Sequence, residues 1–296
     1  MIVAGPTAVG KTAMAIALAK HFNTSIISAD SRQCFKELTI GVAKPSVTEL
    51  ESVRHYFINS HSVQDKMDAA LFENFALQAA AEIFRTNPVA IMVGGTGMYI
   101  RAFCEGLDSI PAISAETQEI VRNGYAANGI DWLRDRVAAE DPQYYGTGEI
   151  QNPHRLMRAL EVIRTTGNSI RSFQNKQPVA RPFNIVKTAL ELPRPELNER
   201  IHHRIDRMVQ EGLLDEVKSL QPYQQLNALQ TVGYKEIFDH LNGLCSLDAA
   251  IEFIKTNTSQ YAKRQMTWFK KDTSVQWFNP GDLTGIMAYA YTKVKT

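Results

Sequence analysis

The sequence predicts an α/β fold: a parallel sheet core flanked by helices, with an inserted all-helical subdomain. Three observations carry this expectation. A short apolar run, Ile2-Val3-Ala4, leads into Gly5-Pro6-Thr7-Ala8-Val9-Gly10-Lys11-Thr12, a G-x-x-x-x-G-K-T phosphate loop set between a strand and a helix. Apolar strand-like runs then alternate with helical patterns as far as Leu107. Beyond Leu107 the pattern is helical only, until a strand returns at residues 184–192. The expected fold is therefore P-loop NTPase-like, with a discontinuous core over residues 1–110 and 183–296 and an insertion over residues 111–182.

The spacing of the loop lets successive backbone N–H groups cradle an anion, with the positive end of the following helix behind them. Lys11 would reach the outer phosphate oxygens, and Thr12 would place its hydroxyl on Mg²⁺. Residues 13–20 read as a helix and residues 25–29 as a strand, which completes one βαβ unit. Asp30-Ser31-Arg32-Gln33 begins at the carboxyl end of that second strand, where open α/β sheets bind ligands. Asp30 there could take a proton from a nucleophile, or simply cap a turn.

Residues 54–58 read as a third strand, and Asp68 as the cap of a helix over residues 69–85. The buried strand at residues 89–93 ends in Gly94-Gly95-Thr96-Gly97, which is either a tight turn or a close backbone approach to a ligand, with Thr96 as a contact. Insertion helices are expected at residues 115–127, 132–139 and 153–166, the last with Arg155 and Arg158 on one face and Leu156, Leu160 and Ile163 on another. A helix over residues 195–211 aligns Arg200, Arg204 and Arg207, as a solvated face or a phosphate clamp. Thr231-Val232-Gly233-Tyr234 is a flexible turn. The long helix at residues 249–271 ends with Lys263, Arg264, Gln265, Trp268 and Phe269, a mixture that suits RNA phosphates and unstacked bases, although the two aromatics suit a core equally.

Composition narrows the class. At 296 residues, 44% hydrophobic, the chain has the balance of a soluble globular protein, and no apolar run approaches a bilayer span or a secretion signal, so a cytosolic location is expected. Cys34, Cys104 and Cys245 lack CxxC spacing, which points away from a disulfide framework or zinc site. A net charge of +1 argues against indiscriminate nucleic-acid binding. Locally the balance differs: between Gln151 and Thr188 the only acid is Glu161, against Arg155, Arg158, Arg164, Arg171, Lys176, Arg181 and Lys187, while the preceding segment from Glu105 to Glu149 is acidic. The basic run is either a surface for a polyanion or a solvated face.

Together these motifs resemble the tRNA dimethylallyltransferase (isopentenyl-diphosphate:tRNA transferase) family, over nearly the full length. The likeness rests on G-P-T-A-x-G-K-T at residues 5–12, D-S-x-Q at 30–33, a variant of G-T-A-K-P at 41–45, residues 94–99, R-x-x-R-A-L-E-V at 155–162, Gly233-Tyr234, and Lys263-Arg264-Gln265 with Thr267-Trp268. The resemblance implies transfer of a dimethylallyl group from dimethylallyl diphosphate to the exocyclic amine of adenosine 37 in tRNA, with Mg²⁺ and with no membrane, by an expected monomer. It implies that Asp30 is the general base, that Thr7 hydrogen-bonds the oxygen bridging prenyl group and diphosphate, and that Arg204 stabilises the leaving group. It implies tRNA contacts at Asp30, Ser31, Arg32, Gln33, Thr96, His154, Arg155, Arg158, Gly233, Tyr234, Lys263, Arg264 and Gln265. Val42, Phe35 and Arg54-His55-Tyr56 depart from the family pattern outside that catalytic set, and the lack of a zinc-finger extension gives an expected bacterial type. A small-molecule kinase would use the same loop for ATP, with Asp30 at its acceptor; an NTP-gated RNA-binding module would bind nucleotide without turnover.

Overall fold

The structure is a computed structural model describing residues 1–174 and 177–294; Lys176 of the basic run lies outside them. The chain forms two compact units, Met1–Glu105 with Ala180–Thr296, and Gly106–Val179. Among the described residues the first unit holds one six-stranded sheet of order β3-β2-β4-β1-β5-β6, parallel throughout. Its strands are β1 (Ile2–Ala4), β2 (Ile26–Ser28), β3 (His55–Tyr56), β4 (Ile91–Val93), β5 (Lys187–Leu190) and β6 (Gln276–Phe278). The helices, in chain order, are α1 (Lys11–His21), α2 (Val47–Ser52), α3 (Ala69–Ile83), α4 (Gly97–Glu105), α5 (Ala115–Glu140), α6 (Pro142–Thr147), α7 (Pro153–Thr166), α8 (Arg194–Gln210), α9 (Leu213–Ser219), α10 (Lys235–Leu241), α11 (Leu247–Phe269) and α12 (Leu283–Val294).

β1, β2 and β4 are buried at every position, which is why they read as unbroken apolar runs rather than alternating ones. β1 lies between β4 and β5, with Val3 in register with Val93 and Thr188. Ile27 of β2 aligns with Met92 of β4. Because the strands run the same way, residues 5–12, 29–33 and 94–97 all leave the carboxyl edge of the sheet together. In the second unit a separate core is built from Val121, Leu133, Val137, Tyr144, Leu156, Leu160 and Val162.

The structure alters several expected elements. β3 keeps only two residues, because Phe57 (φ 65°) and Asn59 (φ 52°) turn the chain out of the sheet. The glycine segment after β4 enters α4 directly, a helix the sequence reading did not anticipate. Residues 115–140 form one continuous span interrupted at Gly129 (φ 76°, ψ −168°), so the two expected helices meet at a break that only glycine takes easily. β6 and α12 were also unforeseen; three residues give too little pattern to identify a strand. α7 spans its expected residues, with Asn152 accepting the His154 and Arg155 N–H groups, Pro153 in the first turn and Gly167 in the left-handed C-terminal position.

Candidate active site and nucleic-acid interface

The phosphate loop takes its shape from three left-handed positions, Gly5 (φ 137°), Ala8 (φ 64°) and Gly10 (φ 103°). A Cβ on Gly5 would stand 2.7 Å from the Leu190 carbonyl oxygen, so close packing against β5 requires glycine there. Gly10 ends the loop, and α1 begins at Lys11 with its N-terminus toward the cavity that Gly10, Lys11 and Thr12 line.

Two adjoining compartments open at this edge of the sheet. One, about 270 Å³, is lined by the loop together with Gln33, Glu49, Gly94 and Gly95. The other, about 220 Å³, is lined by Ser31, Arg32, Gly41, Ile205, Met208, Val232 and Gly233 among others. Thr7, Asp30, Arg204 and Tyr261 line both. The expected catalytic trio thus stands on their common border, although its members are spread over 198 positions of sequence. Larger cavities of about 500 and 920 Å³ lie away from the phosphate loop, the latter an apolar hollow lined by Phe22, Phe84 and Phe183.

Arg204 Nη1 donates to Thr7 Oγ1 at 3.2 Å, joining α8 to the loop. Burial holds the Arg204 guanidinium below its usual range, with Arg207 adding like-charge repulsion and Asp30 opposing both. Burial first, then the Arg204 charge, pushes the Lys11 ammonium down to about 7, again against Asp30. Lys11 Nζ meanwhile donates to the Pro6 carbonyl at 2.5 Å. Two cations crowd a desolvated space against one carboxylate, an arrangement that an anion relieves.

That depression has a sign. Between about pH 7 and 10.5 the unfolded chain carries the Lys11 proton and the ligand-free fold does not, so this group makes the ligand-free fold more stable as pH rises through that window, and least stable below it. An anion held in the phosphate loop would return the ammonium toward its ordinary range. Calorimetry at pH 8.5 in two buffers of different ionisation heat should therefore detect uptake of about one proton when an organic diphosphate binds. Lys11→Gln should abolish it; identical apparent enthalpies for the wild type would refute the coupling.

Asp30 folds its own neighbours around it. Its Oδ1 accepts the N–H groups of Arg32 (2.9 Å) and Gln33 (3.3 Å), an Asx turn at the strand end. Ser31 N–H donates to Thr96 Oγ1 at 3.1 Å, which ties the ends of β2 and β4 together. Gln33 Nε2 donates to the Val42 and Ala43 carbonyls at 3.2 and 3.0 Å, so its amide N–H groups hold the 42–43 wall of both compartments.

Two expected tRNA contacts need correction. Tyr234 is fully buried, its hydroxyl donating to Glu216 Oε1 at 2.6 Å, and Glu216 also accepts the N–H groups of Thr39, Ile40 and Gly41. The ring packs where a Gly41 side chain would otherwise stand, so Tyr234 braces a loop from behind. Gln265 is 6% exposed and joins the phosphate loop to Gly95. Its neighbours Lys263 and Arg264 are exposed on the other side of α11. Gly233 (φ 97°) lines the second compartment, its N–H donating to the buried Glu236 at 2.8 Å. Phe269 belongs to the core and Trp268 packs against it from a half-buried position beside Gly97.

The basic run is also largely consumed internally. Arg181 and Glu73 pair at 2.6 Å and Lys187 and Asp272 at 2.7 Å inside the first unit. Within the second, Arg164 makes a two-pronged pair with Glu140, Arg171 caps the Thr147 carbonyl over the Tyr144 ring, and Arg158 stands 3.6 Å from Glu161. His154 and Arg155 are exposed on the first turns of α7, and Arg155 has no ion-pair partner among the described residues.

This geometry coincides with independent similarity. The family model described as IPP transferase matches residues 33–272. The chain belongs to the IPP transferase family. A tRNA dimethylallyltransferase of Cytophaga hutchinsonii is 42% identical over 295 residues, covering 100% of this chain and 97% of that protein. One from Bacteroides thetaiotaomicron is 43% identical over 289 residues, covering 98% and 94%. Among solved structures, the tRNA isopentenylpyrophosphate transferase of Bacillus halodurans superimposes with TM-score 0.73 at 32% identity, over 99% of this chain and 96% of that one. A eukaryotic dimethylallyltransferase acting on tRNA gives 0.79 at 26% identity, over 99% and 76%. As an IPP transferase the chain is an enzyme of prenyl transfer on a P-loop NTPase-like fold, and none of its described helices is long and apolar enough to cross a membrane.

The sequence reading named Gln265 only as a tRNA contact and missed the bracing residues Glu216 and Glu236. A signal existed only for Gln265: in a helix, residues 263, 264 and 265 point about 100° apart, so two exposed neighbours turn the third inward.

Proposed function

We propose that this chain transfers a dimethylallyl group from dimethylallyl diphosphate to the N6 amine of the adenosine at tRNA position 37, giving N6-isopentenyladenosine. The carrying observation is that Thr7, Arg204 and Asp30 stand together on the border of the two compartments. The diphosphate occupies the loop compartment and the target adenine the other. The N6–C1 bond forms as the C1–O bond breaks; its electron pair leaves with the diphosphate, and the N6 proton passes to Asp30. Adenine's amine is a poor nucleophile, so it needs both a carboxylate and in-line placement. Negative charge grows on the leaving diphosphate, so Lys11, Arg204 and the loop N–H groups stabilise the transition state more than the ground state.

Magnesium fits Thr12, which lines the phosphate compartment. Its hydroxyl would hold the ion beside the bound phosphates; among the described residues no cluster of three or more His, Cys, Asp or Glu is placed to hold a metal. When bound, the ion offsets charge on the leaving diphosphate.

The second unit, Gly106–Val179, which takes in all but the last three residues of the expected insertion 111–182, serves as the tRNA-binding insertion, with His154, Arg155 and Arg158 on α7, while Ser31, Arg32, Gly233, Lys263 and Arg264 contact tRNA from the core. Withdrawing the base from its stack costs about a few kcal/mol, which these backbone contacts offset. The enzyme acts in the cytoplasm as a monomer. Arg155→Ala should weaken tRNA binding and reduce the slope of log K against log salt by about one unit, and Arg158→Ala by less, because Glu161 already partners it. Filter binding across a salt series measures both, and an unchanged slope for Arg155→Ala removes it from the interface. The activity itself is tested by incubating labelled dimethylallyl diphosphate with unmodified tRNA beside an assay of phosphoryl transfer from ATP. Label in adenosine 37 supports the reading; phosphoryl transfer to a small acceptor without labelled tRNA refutes it in favour of a kinase.

A further inference from the structure

Gln265 reaches from α11 into the base of the active site, and both ends of its amide are committed. Its Oε1 accepts the Thr7 N–H at 2.8 Å, and its Nε2 donates to the Gly95 carbonyl at 2.9 Å. The two ends cannot exchange, since an N–H must face the oxygen and a carbonyl the nitrogen, so a single orientation is fixed. The residues joined follow β1 and β4, which are neighbouring parallel strands. Space for the amide comes from Gly95, where a Cβ would overlap Gln265 Nε2. The partners are 258 and 170 positions away in sequence, so this is not a local turn.

One consequence concerns the cradle. The Thr7 N–H is spent on Gln265, so an anion is held by the N–H groups that follow it. The other concerns direction. With its backbone held toward α11, Thr7 presents its hydroxyl to Arg204 Nη1 at 3.2 Å, on the border of both compartments. Gln265 lines the phosphate compartment alone. A displacement of about 1 Å in such a contact costs on the order of 100-fold in rate.

We propose that Gln265 is a positioning residue for prenyl transfer, its buried amide holding the Thr7 backbone so that the Thr7 hydroxyl and Arg204 meet the bond that breaks. This inference rests on the function proposed above. It predicts a loss in kcat that is routed through Thr7. Gln265→Met keeps the bulk and removes both hydrogen bonds. It should lower kcat per folded enzyme about 10- to 100-fold, the scale seen when the group orienting a contact residue is lost, and leave KM for dimethylallyl diphosphate within about threefold. In a Thr7→Ala background the same substitution should cost less than about threefold, because the hydroxyl it aims is gone.

Gln265→Glu gives a second reading that does not depend on the fold of Gln265→Met. A protonated glutamic acid can accept from Thr7 and donate to Gly95, whereas the ionised form sets a second acceptor against the carbonyl. The ratio of its kcat to that of wild type should therefore rise as pH falls. Steady-state kinetics with tRNA at saturation, normalised to the folded fraction by circular dichroism, gives these values. Equal losses in the Thr7 and Thr7→Ala backgrounds, or a Gln265→Glu ratio flat in pH, overturn the proposal. Wild-type enzyme that leaves tRNA unlabelled refutes the proposed function instead; an active wild type with Gln265→Met at full kcat refutes only the role of Gln265.

Discussion

Asp30→Asn should lower the rate of prenyl transfer by about 10²- to 10⁴-fold, the range expected when a general base is removed. Asparagine is the informative replacement. Its side-chain oxygen can still accept the Arg32 and Gln33 N–H groups, so the turn after β2 keeps its shape while the proton acceptor is lost. Diphosphate affinity should behave differently from turnover. Removing Asp30 takes away a negative charge beside the bound anion, but also removes the influence that raises the pKa of Lys11 and Arg204. Without Asp30, Lys11 gives up its proton at a lower pH than in wild type, so the affinity of the variant for dimethylallyl diphosphate, relative to wild type, should rise as pH falls. Single-turnover transfer from labelled diphosphate, with equilibrium binding measured as a function of pH, separates the two. Transfer within about threefold of wild type would remove Asp30 as the base.

The parts of this site that were legible in the sequence are those whose chemistry is contiguous. Residues 5–12 carry their strand, turn glycines, cation and hydroxyl in one run, and Asp30 follows from its position at a strand end. Arg204 could be assigned only through the family resemblance, since nothing local distinguishes it from Arg200 or Arg207 on the same helix; its contact with Thr7 spans 197 positions.

What the sequence left open or misassigned has the same origin. The positive run was summed along the sequence, but charges pair in space: Arg181 finds Glu73 and Lys187 finds Asp272, 108 and 85 positions away. Pairing of this kind neutralises a surface that composition presents as basic, and leaves Arg155 as the arginine with the clearest claim on a phosphate. Tyr234 and Gln265 were grouped with their neighbours Gly233 and Arg264 because adjacent residues share a motif. In the fold, adjacent residues face different ways, and both side chains brace the walls that their neighbours line or flank.

Arg204→Met should reduce kcat by about 10²- to 10³-fold, the cost of deleting a charged donor aimed at developing negative charge. Desolvating the guanidinium is itself unfavourable, as its depressed pKa records, and Thr7 Oγ1 offers it only a neutral acceptor. The leaving oxygen of the diphosphate becomes a better partner as its charge grows, so most of the compensation arrives in the transition state. KM for dimethylallyl diphosphate should accordingly change much less than kcat; the reverse split, a raised KM with kcat intact, would make Arg204 a ground-state anchor. A second effect identifies the electrostatics independently of rate. The Arg204 charge helps to hold Lys11 down to about 7, so its removal lets Lys11 keep its proton to higher pH. Proton uptake on diphosphate binding at pH 8.5 should then be smaller in Arg204→Met than in wild type. An undiminished uptake would mean that burial alone sets the Lys11 pKa, and that the two cations act on the diphosphate independently.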